Sequence, residues 1–273
     1  MIEHIVGLSI KNVITIFLLE KMLSYFQLQN VIGLISLNPY KLFILLFVTI
    51  VCSCKAYTVN DLGEKTINFS NYVCTIKESN VPKGPRDNLW TAKNICIDNG
   101  GNLELSISKR GEKWYSSELF IPTHFGYGSY SFTIDSPVHN LDENAVLGLF
   151  VYESDTQEID IEFQRHVHPT KNVAFTVQKI RQDQDTVQQS FILNTSGSVH
   201  LSFDWSKNLI HFKASTENGQ LISEFIVIEE EHIPHPDKEL VRINYYLFYP
   251  DRGLSDTNKH SITISHFTFI KQL

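Results

Sequence analysis

The residues best suited to chemistry in this chain are the three acids of Glu158-Ile159-Asp160-Ile161-Glu162. On an extended strand side chains alternate between faces, so Glu158, Asp160 and Glu162 share one face while Ile159, Ile161 and Phe163 share the other. Three neighbouring anions repel each other and acidic residues are poor strand formers, so the pattern has a local cost, tolerated chiefly where it has a use. Glycoside hydrolysis is such a use. One carboxylate attacks or stabilises the anomeric carbon, and a second, protonated carboxyl delivers a proton to the leaving oxygen. A carboxyl beside other carboxylates holds its proton more tightly. A central Asp160 can share a proton with either neighbour and keep the two glutamates in different protonation states. Glu158 and Glu162 lie about 13 Å apart at Cα on a flat strand, whereas a retaining glycosidase wants its carboxyl groups about 5–5.5 Å apart. Glutamates leaning together on a concave sheet close most of that gap, and aspartates would not. The plain alternative is a solvated acidic strip on an exposed strand.

Other side chains are weighed the same way. Trp90, Trp114 and Trp205 are candidate sugar platforms, since a flat ring stacks on a pyranose while its N–H meets a hydroxyl. The alternative is core filling, which is the expectation for Trp205 at the end of an alternating strand. Tyr127 and Tyr130 are equally ambiguous. His166 and His168 follow the acidic segment at same-face positions. Glu229-Glu-Glu-His232 with His235 matches no zinc spacing and reads as a solvated loop. There is no phosphate loop, dinucleotide fingerprint or G-x-S-x-G elbow.

The elements that must position these groups read as strands. From Leu103 onward apolar and polar residues alternate, at Leu103–Ser108, Tyr130–Asp135, Ala145–Tyr152, Val173–Lys179, His200–Trp205, Leu209–Ala214, Leu221–Ile228, Leu240–Tyr249 and Ser261–Ile270. Turn clusters such as Asn99-Gly-Gly-Asn102 and Glu217-Asn-Gly-Gln220 separate them, and strands at this spacing predict an all-β sandwich or barrel. No linker divides residues 57–273, so they are expected to form one domain.

Residues 1–56 differ, with 35 hydrophobic residues and six charges. Leu42 to Cys54 is an apolar run of 13 between Lys41 and Lys55. It is too short for the roughly 20 residues of a membrane span, and with its basic flank it reads as a secretory signal cut near Ala56. Val51-Cys-Ser-Cys54 also loosely resembles a lipobox, so a retained membrane anchor is the other reading. Removal of the leader takes Cys52 and Cys54 away and leaves Cys74 and Cys96 as the one disulfide that an oxidising compartment permits, against two buried thiols as the alternative. The whole chain of 273 residues carries a net charge of -7, which excludes a general nucleic-acid binder.

The acidic segment matches E-[IL]-D-x-E, and here the chain resembles glycoside hydrolase family 16, the β-glucanases. Gly84-Pro-Arg-Asp-Asn88, Asn94-Ile-Cys-Ile-Asp98 and Gly101-Asn-Leu103 resemble the family's early "GPxxN…NVxVD…GxL". Trp114-Tyr-Ser-Ser-Glu118 and Phe125-Gly-Tyr-Gly-Ser-Tyr130 resemble its "W-x-S-x-E…FGYGxY" segment. Leu147-Gly-Leu-Phe150 precedes the motif, and His200-Leu-Ser-Phe-Asp-Trp205 with Ile210-His-Phe212 resembles a later strand pair. The landmarks keep their order over about residues 80–270. The resemblance implies a concanavalin A-like β-jelly-roll sandwich with a concave carbohydrate-binding face, and retaining cleavage of a β-1,3 or mixed β-1,3/1,4-glucan. Glu158 would be the nucleophile, Asp160 the assisting carboxylate and Glu162 the general acid and base. Asn88, Trp90, Tyr127, His166 and Gln178 would bind substrate. It implies no cofactor. Some members hold a structural calcium, for which no ligands are identifiable here. The expected partner of this exported monomer is a poly- or oligosaccharide, with membrane attachment only through the leader. Thr156-Gln157 and Gln164-Arg165-His166 depart from the family pattern around the motif, which puts substrate identity in question. Transglycosylation, or a non-catalytic carbohydrate-binding module, is the rival expectation.

Overall fold

The structure, a computed structural model, describes residues 54–166, 170–178, 181 and 185–272. The signal and anchor readings of the leader before Cys54, and His168, lie outside the described residues. In chain order the strands are β1 (Thr58–Val59), β2 (Lys65–Phe69), β3 (Tyr72–Ile76), β4 (Ser79–Lys83), β5 (Asn88–Trp90) and β6 (Ile95–Ile97). Next come β7 (Leu103–Arg110), β8 (Lys113–Tyr115), β9 (Ser117–Ile121), β10 (Gly128–Ile134), β11 (Ala145–Ser154), β12 (Gln157–Gln164) and β13 (Val173–Val177). The chain ends with β14 (Val187–Phe191), β15 (Val199–Ser206), β16 (Leu209–Thr216), β17 (Leu221–Val227), β18 (Leu240–Leu247) and β19 (Lys259–Lys271). Among the described residues helix is confined to short 3-10 turns, and no helix is long and apolar enough to cross a membrane.

Two large antiparallel sheets form the predicted sandwich. One runs β1-β2-β3-β9-β18-β11-β12-β13-β14. The other runs β17-β16-β15-β10-β19-β7-β6, with β8 paired to β7. Runs of consecutive paired strands, such as β11 to β14 and β15 to β17, are joined by crossings between the sheets, which bring β18 between β9 and β11 and β19 between β10 and β7. These crossings make the architecture a jelly roll rather than a meander.

Burial follows the two-residue period where a strand has only one covered face. β10 and β15 alternate buried and half-buried positions, and Tyr130, Phe132, Leu201, Phe203 and Trp205 point between the sheets. Trp205 fills the core as expected, and its indole N–H donates to Pro234 O at 3.0 Å. Strands β11 and β13 are buried almost throughout, so the outer face of the nine-stranded sheet is covered as well. Part of that cover is the β4–β5 hairpin. Trp90 anchors it in a small second cluster with Val146 and Tyr246, against which Phe248 packs.

The disulfide differs from the expectation. Cys96 on β6 is bonded to Cys54, with Cα atoms 5.6 Å apart, and Cys74 is a free, buried thiol. Cys74 belongs to β3 in the nine-stranded sheet and Cys96 to β6 in the other, so the expected Cys74–Cys96 pair is divided between the two layers. Burial pushes the Cys74 thiol up to about 12, which makes it an inert core group rather than a nucleophile. Beside the disulfide Lys55 N donates to Ile97 O at 2.7 Å, and Ile97 N returns the bond at 3.2 Å. Cys54 and Lys55 are thus joined to the sandwich, upstream of the expected cut near Ala56.

Candidate active site

Antiparallel pairing sets the acidic strip into a pattern across the sheet. Glu158, Asp160 and Glu162 of β12 stand opposite Tyr152, Phe150 and Gly148 of β11. On the far side of β11, Phe150 and Gly148 face Arg242 and Asn244 of β18, which in turn face Phe120 and Glu118 of β9. Their outward side chains line a cleft of about 370 Å³, closed on one side by Gly84 and Pro85 before β5. Asp155 and Gln178 complete the end near Glu158. Ile159, Ile161 and Phe163 are buried between the sheets, as the alternation predicts.

The strip is not a solvated one. Asp160 is only 4% exposed, and its Oδ1 has no hydrogen-bond partner among the described residues. Burial first, then the charges of Glu162 and Glu158, holds the Asp160 proton well above the usual carboxylate range. A buried carboxyl without a partner is most stable neutral. Burial, with Glu162 and Asp155 adding to it and Arg242 opposing, pushes Glu158 up to about 8. Burial also raises Glu162, against the pull of Tyr246 and Arg86. The Tyr246 hydroxyl donates to Glu162 Oε1 at 3.3 Å, a contact that favours the carboxylate form. The cleft therefore retains protons on the strip at pH values where exposed carboxyls have lost them.

A charged cluster lies on the other side of Phe150. Glu118, 2% exposed, accepts from Lys77 Nζ at 2.7 Å and from Arg242 Nη1 at 2.8 Å. Lys77 also donates to Gly84 O at 2.6 Å and sits 4.1 Å from the Trp90 ring centroid. Burial lowers its proton affinity, and Glu118 opposes that shift. At Gly148 the backbone N–H donates to Asn244 Oδ1 at 3.1 Å. A Cβ there would lie 2.6 Å from that oxygen, so only glycine lets Asn244 approach beside Glu162.

The expected substrate contacts divide. Gln178 lines the cleft beside Glu158, whose carbonyl accepts from Gln178 N at 3.1 Å. Asn88 is buried and its amide is used internally. It donates to Pro85 O and Leu247 O at 2.9 Å and accepts from Ser116 Oγ at 2.7 Å and Leu247 N at 3.2 Å. It fastens the hairpin wall to β18 and leaves no group for a sugar. Trp90 is fully buried, with its N–H on Lys83 O at 3.2 Å, so it anchors that wall and offers no stacking face. Tyr127 packs edge-on to Trp205, 5.2 Å between centroids, apart from the residues that line the cleft. His166 lies on Phe248, 3.5 Å between centroids, and burial with Arg86 nearby lowers it to about 4. It is thus a neutral packing ring outside the cleft lining.

Sequence reasoning missed Lys77, Tyr152, Arg242, Asn244 and Tyr246 as site residues. A signal existed for three of them: Arg242, Asn244 and Tyr246 occupy alternate positions in β18, so they share a face in an otherwise apolar strand. Among the described residues the only close cluster of potential metal ligands is Cys54, Cys96 and Glu104, in which the cysteines are already bonded to each other.

No protein-family model matches the chain, and no curated protein matches it in sequence. Solved structures do. The Bacillus licheniformis β-glucanase superposes with a TM-score of 0.59 at 17% identity, covering 81% of this chain and 99% of its own. A glycoside hydrolase family 16 protein of Bacteroides ovatus, in complex with a G4G4G3G product, gives 0.56 at 16% identity over 74% of this chain and 98% of its own. A Mycobacterium tuberculosis protein described as an immunostimulatory antigen and pseudo β-1,3-glucanase gives 0.56 at 13% identity over 73% and 91%. At these identities the likeness is one of fold, and the chain has the β-jelly-roll fold of the family 16 β-glucanases.

Proposed function

We propose that this protein is a retaining glycoside hydrolase of the family 16 type, cleaving internal β-1,3 or mixed β-1,3/1,4 bonds of a β-glucan by double displacement. The observation that carries the reading is a buried Asp160, its Oδ1 without a hydrogen-bond partner among the described residues, between two glutamates that face one cleft. A carbohydrate-binding surface has no need of a buried acid between two half-buried ones, whereas two-carboxylate catalysis does.

In the first step Glu158, as carboxylate, attacks the anomeric carbon while the Glu162 proton passes to the departing glycosidic oxygen. The products are a glycosyl ester on Glu158 and a free sugar end. In the second step Glu162, now a carboxylate, takes a proton from water as that water attacks the anomeric carbon and releases Glu158. Asp160, neutral in the cleft, offers a proton to whichever glutamate is anionic. Tyr246 stabilises Glu162 in its anionic stage. These groups perform the reaction without a cofactor, and a second sugar in place of water would make it a transfer. The Cys54–Cys96 bond fits an oxidising compartment, and we place the protein among exported ones.

The test is incubation of the purified protein with laminarin, lichenan, agarose and xyloglucan, beside Glu158→Gln and Glu162→Gln. Reducing ends or transfer products on the β-glucans, lost in both variants, are expected. Binding without any product would make it the carbohydrate-binding module instead, and full activity of Glu158→Gln would remove the nucleophile assignment.

A further inference from the structure

A nucleophilic carboxylate must be ionised, yet nearly everything around Glu158 opposes ionisation. On its own strand stand Glu162 and Asp160. From the β11–β12 turn comes Asp155, and from β11 Tyr152, whose hydroxyl donates to Asp155 Oδ1 at 3.0 Å. The cation from a neighbouring element that acts on Glu158 is Arg242 of β18. Its position is constrained from three sides. Nη1 is held by the buried Glu118 at 2.8 Å, and the guanidinium carbon lies 5.1 Å from the Phe120 ring centroid and 5.4 Å from that of Tyr152. Tyr152 is the cross-strand partner of Glu158, so the ring beside the guanidinium also neighbours Glu158, and Arg242 and Glu158 line one cleft. Arg242 Nε is buried and has no hydrogen-bond partner among the described residues.

We infer that Arg242, clamped by Glu118, is a positioning residue whose charge favours the ionised form of Glu158 that attack requires. This rests on the hydrolase reading for its purpose but not for its measurement. Glu118 is itself held by Lys77, so Lys77, Glu118 and Arg242 form one linked cluster with a surplus positive charge, and Arg242 is its member that acts on Glu158. The fixed guanidinium costs little reorganisation when Glu158 loses its proton, as expected of a charge set in advance.

The experiment titrates the Glu158 carboxyl by NMR, in protein carrying carbon-13 at the glutamate carboxyls, with the signal assigned by its loss in Glu158→Gln. Arg242→Met should raise the Glu158 midpoint by at least about one pH unit, a tenfold change in proton affinity. Arg242→Lys, which keeps the charge, should recover at least half of that shift. An unchanged midpoint in Arg242→Met overturns the inference. If that variant does not fold, Arg242→Gln, which keeps a donor for Glu118 without the charge, decides it by the same criterion. On any glucan that wild type cleaves, kcat/KM of Arg242→Met at pH 6 should fall about tenfold with KM unchanged and recover in alkali, because one pH unit is tenfold in the ionised fraction. If no glucan is cleaved, the hydrolase reading fails, while the titration still decides the role of Arg242.

Discussion

The two ends of the acidic strip are built from different materials. Near Glu158 the neighbouring charges are Arg242, held by Glu118 at 2.8 Å, and Asp155 of the β11–β12 turn. Near Glu162 the surroundings are aromatic: Tyr246 donates to the carboxyl and packs with Trp90 and Val146, and Phe248 stacks between this cluster, His166 and Arg86. A fixed neighbouring cation favours one protonation state, whereas an aromatic surround in which burial opposes one hydroxyl and the Arg86 charge leaves a group able to change state twice per cycle. The contrast matches a nucleophile at one end and an acid/base at the other.

The sharpest way to break the comparison uses an aryl β-glucoside whose leaving group needs no proton. Against a natural glucan both Glu158→Gln and Glu162→Gln should lose at least about a thousandfold in kcat, within the range known for general acid catalysis. The aryl substrate should restore glycosylation in Glu162→Gln and do nothing for Glu158→Gln, read from the burst of phenolate. The opposite pattern would exchange the two roles.

Next in size is Trp90→Ala. Emptying the aromatic cluster should cost about 3–5 kcal/mol of unfolding free energy, the usual range for a buried Trp, measured by denaturant titration. The Gly84–Pro85 wall should loosen with it, raising KM. A small loss of stability would mean that the aromatic end is not what fastens the wall.

Asp160→Asn tests the shared middle. Asp160 binds its proton more tightly in the folded chain than its ordinary 3.8, so the folded state holds more protons. Stability therefore falls as pH rises above the ordinary carboxylate value, until the native group ionises. The amide removes that penalty. It should raise Tm by a few degrees at pH 8, about 1–2 kcal/mol, with no gain at pH 3, while activity falls.

The smallest effect is expected for Tyr246→Phe. Its hydroxyl favours the Glu162 carboxylate, so its loss raises the Glu162 proton affinity and moves the alkaline limb of kcat/KM to higher pH. A change in rate of about tenfold, one charge-assisted hydrogen bond, is expected. Movement of the acid limb instead would connect Tyr246 to the ionic end.

Legibility differed between the two ends as well. The acid strip and its two faces follow from alternation, because a strand's period of two makes face assignment a property of neighbouring residues. Most later strands from β7 to β19 were legible for the same reason, but β8, β9 and β14 were not read. Strands β1 to β6 were not read: β2 to β5 are short, and Ser79–Lys83 is largely exposed and contains Pro82, so no apolar period marks it. Trp90 and Asn88 were misassigned because a Trp or Asn near a Gly-Pro turn has the same spelling whether it meets a sugar or a backbone carbonyl. Only the burial of the hairpin on β18 distinguishes the two.

What the sequence by itself determined is the local pattern: strands, an all-β sandwich, and three carboxyls on one strand face with isoleucines behind them. The tertiary structure alone decided which residues stand beside those carboxyls. Arg242 reaches Glu118 across 124 positions and Tyr246 reaches Glu162 across 84. The disulfide was decided in the same way, since Cys74 is nearer to Cys96 in sequence than Cys54 is, yet the fold bonds Cys96 to Cys54 across 42 positions and leaves Cys74 in the other sheet. Pairing between strands is set by sheet order, and sheet order depends on how the whole hydrophobic core closes, which no local window of sequence contains.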